Sequence, residues 1–243
     1  MLFDSNRGLR KAIKSILGRG NNISWQYTVS QYIDHINPDV IFLREPSGID
    51  YNFLNQYASR CLIVTRLNCQ LQACCNLNPS IIDVLLTGQS EFKAFFELHG
   101  IESYIMRDAF EPEILKECSQ DNSKYDITFV GALGGQYHKR RSSTLNEIAK
   151  DFPFKWWGPK GKNIKNYPYL ENTWQGITGG LDMFKIYYNS KIVLNDYPDF
   201  TRNEAVNQRI FEVMGSGSML LTRNAINLKD EFPEDCLSMY YDT

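Results

Sequence analysis

Hydrophobic positions along the chain switch between two periods. After Ser24, a candidate N-cap, Trp25, Val29, Tyr32, Ile33 and Ile36 recur at helical spacing, and Asn37-Pro38-Asp39 then stops the helix ahead of the continuous apolar run 40–43. A run that short and that apolar has the form of a buried strand. The alternation repeats: 51–58 reads as helix, 61–65 and 83–87 as strands, and 90–99 as a helix carrying Phe92, Phe95 and Phe96 with Gly100 as its C-terminal cap. A second series runs strand 126–130, helix from about 140 to 151, strand 154–157, helix 181–188, strand 191–194, helix 204–214, strand 218–221. Short apolar strands between amphipathic helices predict parallel sheets covered on both faces.

Between the two series, Glu111-Pro112-Glu113 and the polar run 119–124 break the rhythm, so the chain divides into 1–115 and 116–243. Residues 158–180, rich in Lys, Asn, Gly and Pro, form the longest loop-like stretch, and loops of that length usually carry function. With 243 residues, 43% hydrophobic and 13% aromatic, the chain can build two cores.

A net charge of −2 supplies no basic excess for a nucleic-acid partner, so any anion site must be local. The six cysteines (Cys61, Cys69, Cys74, Cys75, Cys118, Cys236) show no C-x-x-C spacing, and three histidines are available to join them; the expectation is reduced thiols and no metal centre. No apolar stretch has the length of a signal-peptide core or a membrane span, which points to the cytoplasm. Residues 5–19 stand apart: Leu9, Ala12, Ile13, Ile16 and Leu17 fall on one helical face, with Arg7, Arg10, Lys11 and Lys14 elsewhere. A basic amphipathic helix of this kind can make peripheral contact with an anionic membrane or dock on a sheet, and docking is the favoured reading.

Ligands of open parallel sheets bind beyond the carboxyl ends of the strands. The first such turn in the second series holds Gly131, Gly134 and Gly135, followed by Lys139, Arg140 and Arg141 at a helix start. Close backbone amides, a helix N-terminus and fixed cations make a diphosphate cradle; a solvated first turn is the alternative. The spacing is not G-x-G-x-x-G, and Trp157-Gly158-Pro159-Lys160 stands where a nicotinamide ribose would need an acidic residue, which disfavours a dinucleotide oxidoreductase. Trp156 and Trp157 point to opposite sides of their strand, one into a core and the other, beside Gly158, either walling a nucleobase or packing. Asn195-Asp196 places an amide and a carboxylate after the third strand. In the helix expected over 204–214, Glu204, Gln208 and Glu212 share one stripe, which either accepts hydrogen bonds from sugar or ribose hydroxyls or simply faces water.

Taken in order, the runs 125–131, 139–141, 157–158, 187–195, 207–212 and 217–222 resemble the C-terminal domain of GT-B glycosyltransferases, and within them the spore maturation protein CgeB-like branch. Residues 99–101 and 109–112 resemble the same family's domain junction. The resemblance implies an α/β fold of two Rossmann-like domains of GT-B type, the N-terminal acceptor-side domain truncated and the C-terminal one lacking the usual final helices. It implies a hexosyltransferase-like enzyme that moves a sugar from a nucleoside-diphosphate-sugar donor to a hydroxyl of a surface glycan, glycolipid or protein, with no metal or other cofactor.

Carried onto this sequence, the family pattern gives Glu212 the donor ribose and gives Arg209 and the turn Gly131 to Arg141 the diphosphate. The turn Trp157-Gly158 would meet the base, with Asn195 and Asn207 also in the donor site. Glu204 takes the place of the first Glu of an E-x7-E pair, near the transferred sugar, as the catalytic candidate. His35 and His99, the nominal bases of the first half, read more simply as helix-end surface residues. The rival readings are a non-catalytic nucleotide- or sugar-binding module and a structural partner derived from a truncated glycosyltransferase.

Overall fold

The computed structural model describes residues 25–44, 51–68, 79–118, 124–199, 204–205, 207–233, 236 and 238–240. Ser24, the basic segment 5–19, Val206, Cys69, Cys74 and Cys75 lie outside them. The chain forms two compact units, Met1–Ile105 and Met106–Thr243. Residues 106–115, which the polar break had assigned to the first half, thus belong to the second unit, where Phe110 packs on Phe184 with ring centroids 5.9 Å apart.

In the first unit, α1 (Trp25–Ile36), β1 (Val40–Arg44), α2 (Tyr51–Asn55), β2 (Leu62–Leu67), β3 (Val84–Thr87), α3 (Ser90–Leu98) and β4 (Glu102–Ile105) follow one another. The strands form one parallel sheet in the order β1-β2-β3-β4. β4 escaped the pattern because only Ser103 of its four residues is buried. α3 ends as expected: Gly100 at φ +78° lets its own N–H reach the carbonyl of Glu97 and that of Ile101 reach Phe96, closing the last turn.

Strand order decides how this sheet is covered. Each strand is followed in space by the next in sequence, and right-handed crossovers taken in one direction put every connection on the same face. On that face Ile63, Leu67 and Leu85 are buried in one cluster with Leu54, Phe92, Phe96 and Ile101. The opposite face carries Val40, Phe42, Leu62 and Tyr104 at 44–52% exposure. Among the described residues no crossover covers that face, so the expectation of a sheet covered on both faces is not met by them.

The second unit holds β5 (Tyr125–Val130), α4 (Lys139–Asp151), β6 (Phe154–Trp157), α5 (Pro168–Thr173), α6 (Leu181–Tyr188), β7 (Ser190–Asn195), α7 (Arg209–Gly215), β8 (Met219–Arg223), α8 (Leu228–Glu231) and β9 (Ser238–Tyr240). Its parallel sheet runs β6-β5-β7-β8-β9, so the winding reverses at β5 and both faces receive helices. Phe129, Leu145, Trp156 and Leu170 belong to one core; Val130, Trp157, Tyr187, Val193 and Val213 belong to the other. Trp156 and Trp157 do point to opposite sides, and both end in a core.

Two local expectations change. The stretch 158–180 contains α5, opened by Pro168 at its first turn and anchored by the fully buried Leu170. The helix expected over 204–214 begins only at Arg209. The side chain of Asn227 accepts a hydrogen bond from the N–H of Ala205 (2.7 Å) and donates to its carbonyl (2.8 Å), so this residue is held as if paired to a strand. Side-chain amides that bind backbone in this way compete with helix formation.

Gly100→Ala should lower unfolding free energy by about 1–2 kcal/mol, the cost of a Cβ in the left-handed region, and chemical denaturation measures it directly.

Candidate functional site

Reversal of the winding at β5 brings the ends of β5 and β7 together while the chain leaves them for different helices, and such a switch point opens a crevice beyond the strands. The turn after β5 forms one wall. The N–H of Gly131 donates to Trp157 (2.8 Å), and that of Leu133 to Pro159 (3.2 Å). In return the N–H of Gly161 donates to Leu133 (2.7 Å), which carries the β5–β6 ladder past the strands. The N–H of Gly134 donates to the Ser142 hydroxyl (2.9 Å).

Glycine is needed for this approach. A Cβ on Gly158 would lie 2.2 Å from the Gly131 carbonyl oxygen, and one on Gly161 would lie 2.4 Å from that of Gly134. The amides of Gly131, Leu133 and Gly134 are thus spent inside the protein, and a cradle for an anion has to come from other groups. Gly135 stands half-buried beside His138, at the step into α4.

The basic cluster at the start of α4 divides. Lys139 is exposed and Arg140 half-buried, whereas Arg141 is 4% exposed. Its guanidinium donates to the carbonyls of Ala132 (2.6 Å) and Asp196 (3.0 Å), so Arg141 clips the β5 turn to the end of β7 instead of reaching outward. The first turn of α4 has a remote cap, because the N–H of Lys139 donates to the Asp199 carboxylate at 3.0 Å while the N–H of Asp199 donates to Tyr137. His138, the N-cap residue, has its pKa lowered from 6.5 to about 4. Burial is the main cause, with Arg141 and Arg209 adding to it and Asp199 opposing.

The half-buried guanidinium of Arg209 borders the same turn. It lies 5.1 Å from the centre of the Phe129 ring, which also carries Arg141 at 5.2 Å. Its Nε donates to the Tyr187 hydroxyl at 3.3 Å, and a Cβ on Gly131 would come within 3.0 Å of its terminal nitrogen. Glu212 follows one turn later on the same face of α7. Burial raises its pKa, Arg209 opposes that, and the carboxylate of Asp108 raises it further.

Asn195 is fully buried and ties three segments together. It donates to Thr222 on β8 (2.9 Å), and its amide and that of Asn207 exchange hydrogen bonds (2.6 and 3.3 Å). Asp196 does not face the crevice, because it is buried in an ion pair with Arg223 at 2.7 Å.

A further expectation is corrected by the structure. Glu204 shares no helix face with Glu212; it precedes the Asn227 clamp and lies within electrostatic reach of Glu231. Trp157 is 8% exposed and packs edge-on against Tyr125, in keeping with the packing alternative for it. Gly158 is engaged too, donating to Gly176 and accepting from the Trp174 indole, both at 2.9 Å. Trp174 is the half-buried aromatic at this end, with the Lys160 ammonium 4.0 Å above its ring. Phe129, His138, Tyr187, Asp108 and Asp199 were not singled out from sequence. Each reads there as an ordinary core or surface residue, and only the strand-order reversal gathers them.

Among the described residues no group of three or more His, Cys, Asp or Glu is placed to hold a metal ion, and no helix is long and apolar enough to cross a membrane.

Residues 140–243 match a protein family described as glycosyl transferase-like. No curated protein matches the chain. Among solved structures, a UDP-forming alpha,alpha-trehalose-phosphate synthase from Burkholderia xenovorans is similar at TM-score 0.52 and 10% identity over 86% of this chain and 64% of that one. AviGT4, a glycosyltransferase involved in avilamycin A biosynthesis, is similar at TM-score 0.52 and 12% identity over 82% of this chain and 66% of its own. At such identities the likeness shows the fold, two α/β units of GT-B type, and the chain spans about two thirds of either structure's length. The glycosyl transferase-like match covers α4, Arg209 and Glu212; β5 and the glycine turn precede it.

Arg141→Ala should cost about 2 kcal/mol or more of stability, since two carbonyls lose their donor, while Arg209→Ala costs less; paired denaturation curves test the contrast. A base whose pKa is lowered on folding binds more protons when unfolded, so its contribution is complete above pH 6.5 and is lost as pH falls toward about 4. His138→Gln should therefore flatten the fall in melting temperature across that window.

Proposed function

We propose that the chain transfers a sugar from a nucleoside-diphosphate-sugar donor to an acceptor hydroxyl, and that the donor's nucleotide occupies the crevice between the ends of β5 and β7. The observation that carries this reading is the pairing, on one face of α7, of a half-buried guanidinium braced by Phe129, Tyr187 and Gly131 with a half-buried carboxylate that burial disfavours as an anion. Arg209 suits a diphosphate. Glu212 suits ribose hydroxyls, which would supply the hydrogen bonds that a buried carboxylate needs.

Catalysis on this reading is mainly positioning together with neutralisation of the departing diphosphate by Arg209 and the start of α4, without a metal. Arg140 and Lys139 extend the positive potential, and Arg141 acts by holding the turn. The base would lie toward Gly158 and Trp174. The CgeB-like branch is our finer assignment; it rests on the ordered runs from 125 to 222, and the acceptor we favour is a surface glycan, glycolipid or protein.

A second reading is a non-catalytic nucleotide-binding module. The separation of Glu204 from the Glu212 face favours it, because the carboxylate expected beside the transferred sugar lies outside α7, within electrostatic reach of Glu231. Nucleotide binding without sugar transfer or donor hydrolysis distinguishes it.

Titration calorimetry with UDP, GDP, CDP, ADP and dTDP should show one preferred diphosphate. Glu212→Ala should weaken it by about 1–3 kcal/mol, whereas an unchanged dissociation constant removes Glu212 from the site. The same carboxylate should oppose folding. An acid whose pKa is raised in the folded state loses stability as pH rises from its ordinary 4.5 through the raised value. Glu212→Gln should therefore melt higher than the parent at neutral pH, with the gain vanishing below pH 4.5.

A further inference from the structure

The segment that opens the second unit is held against three of its helices. A Cβ on Gly215, at the end of α7, would fall 2.2 Å from the Phe110 ring, so a glycine there lets that ring lie directly on the helix backbone. The ring's other neighbour is Phe184 of α6. Three residues earlier, Arg107 forms an ion pair with Glu231 of α8 at 2.7 Å. Asp108 lies between these two anchors. It is half-buried, as is Phe110, while Ala109 is exposed, the alternation of an extended chain in which every second side chain turns the same way. Asp108 therefore faces the protein on the side of Phe110.

That side is also the Glu212 side. Glu212 precedes Gly215 by three positions, so the two share a face of α7 about 4.5 Å apart along its axis. Asp108 precedes Phe110 by two positions, at most about 7 Å of chain. The two carboxylates lie within electrostatic reach of one another. Two half-buried acids set side by side oppose each other's ionisation, and a ligand that brings hydroxyl donors relieves the pair. A vicinal diol brings two adjacent O–H donors, one for each carboxylate, and bonds to a charged acceptor are the stronger kind. We propose that Asp108 is a second acceptor for the donor's ribose, so that Asp108 and Glu212 together bind its 2′- and 3′-hydroxyls and select a ribonucleotide over its deoxy counterpart. This rests on the nucleotide occupying the crevice beside Arg209. Arg209 and Glu212 stand one turn apart on α7, in the order diphosphate then ribose, and Asp108 meets the sugar from outside the helix.

The test compares each of UDP, GDP, CDP and ADP with its 2′,3′-dideoxy analogue by titration calorimetry on the full chain. The parent should prefer the ribonucleotide by about tenfold or more, the worth of one charge-assisted hydrogen bond. Asp108→Ala should narrow that gap severalfold and leave affinity for the dideoxy analogue unchanged, which also shows that the variant is folded. Asp108→Asn, which keeps an acceptor oxygen and loses the charge, should narrow it less. Arg209→Ala should weaken both members of a pair alike. An unchanged ribose preference in Asp108→Ala, or an equal loss for both analogues, overturns the proposal and leaves the nucleotide site standing. A parent that binds a ribonucleotide no better than its dideoxy analogue, or that favours dTDP over all four, overturns it in the same way. Failure of the parent to bind any of these diphosphates overturns the nucleotide site together with it.

Discussion

The second unit depends on one buried cation. Arg141 satisfies the carbonyls of Ala132 and Asp196, one just past the end of β5 and the other just past the end of β7. These strands meet where the winding reverses, the one place in the sheet where no helix connection spans the gap directly. A guanidinium suits the task because it is planar, always charged and carries donors in two directions. Its guanidinium also lies over Phe129, whose other guanidinium neighbour is Arg209. The residue that shapes the crevice and the residue proposed to bind in it are thereby aligned by a single aromatic ring.

Glycines complete the arrangement by removing bulk. Gly131 against Gly158, and Gly134 against Gly161, let two successive turns touch backbone to backbone and extend the β5–β6 ladder. This clarifies a common ambiguity in glycine-rich turns after parallel strands. Here the glycines serve protein–protein contact, and the amides that sequence reading had offered to a phosphate are mostly used by it. What remains for an anion is side-chain charge and the first turn of α4, where Asp199 already supplies a carboxylate.

The strands and main helices were legible because their apolar positions keep a strict period: 40–43, 126–130 and 154–157 fall within or beside the observed strands, and 181–188 matches α6. Arg209, Glu212 and Asn207, which we propose for the donor site, came from the ordered resemblance, and residues 140–243 match a glycosyl transferase-like family model. Three things were not legible. The helix start at Arg209 depends on Asn227, which binds Ala205 from 22 positions further along the chain and leaves no local trace. The burial of Trp157 and Arg141 depends on which face each side chain shares with distant elements. The one-sided covering of the first sheet depends on strand order, which hydrophobic periodicity does not encode.

The two sheets also differ in how they can be assembled as the chain is made. In the first, each new strand adds to the edge left by the one before it, so pairing can keep pace with synthesis. In the second, β5 pairs with β6 on one side, but its other edge waits for β7, which emerges only after the whole of 158–189. At ordinary rates of translation that edge stays unpaired for a few seconds. During that interval β5, with Ile127, Phe129 and Val130, is an open template for a foreign strand. The reversal that opens the crevice proposed for the donor is therefore also the point at which a nascent chain is most exposed to mispairing.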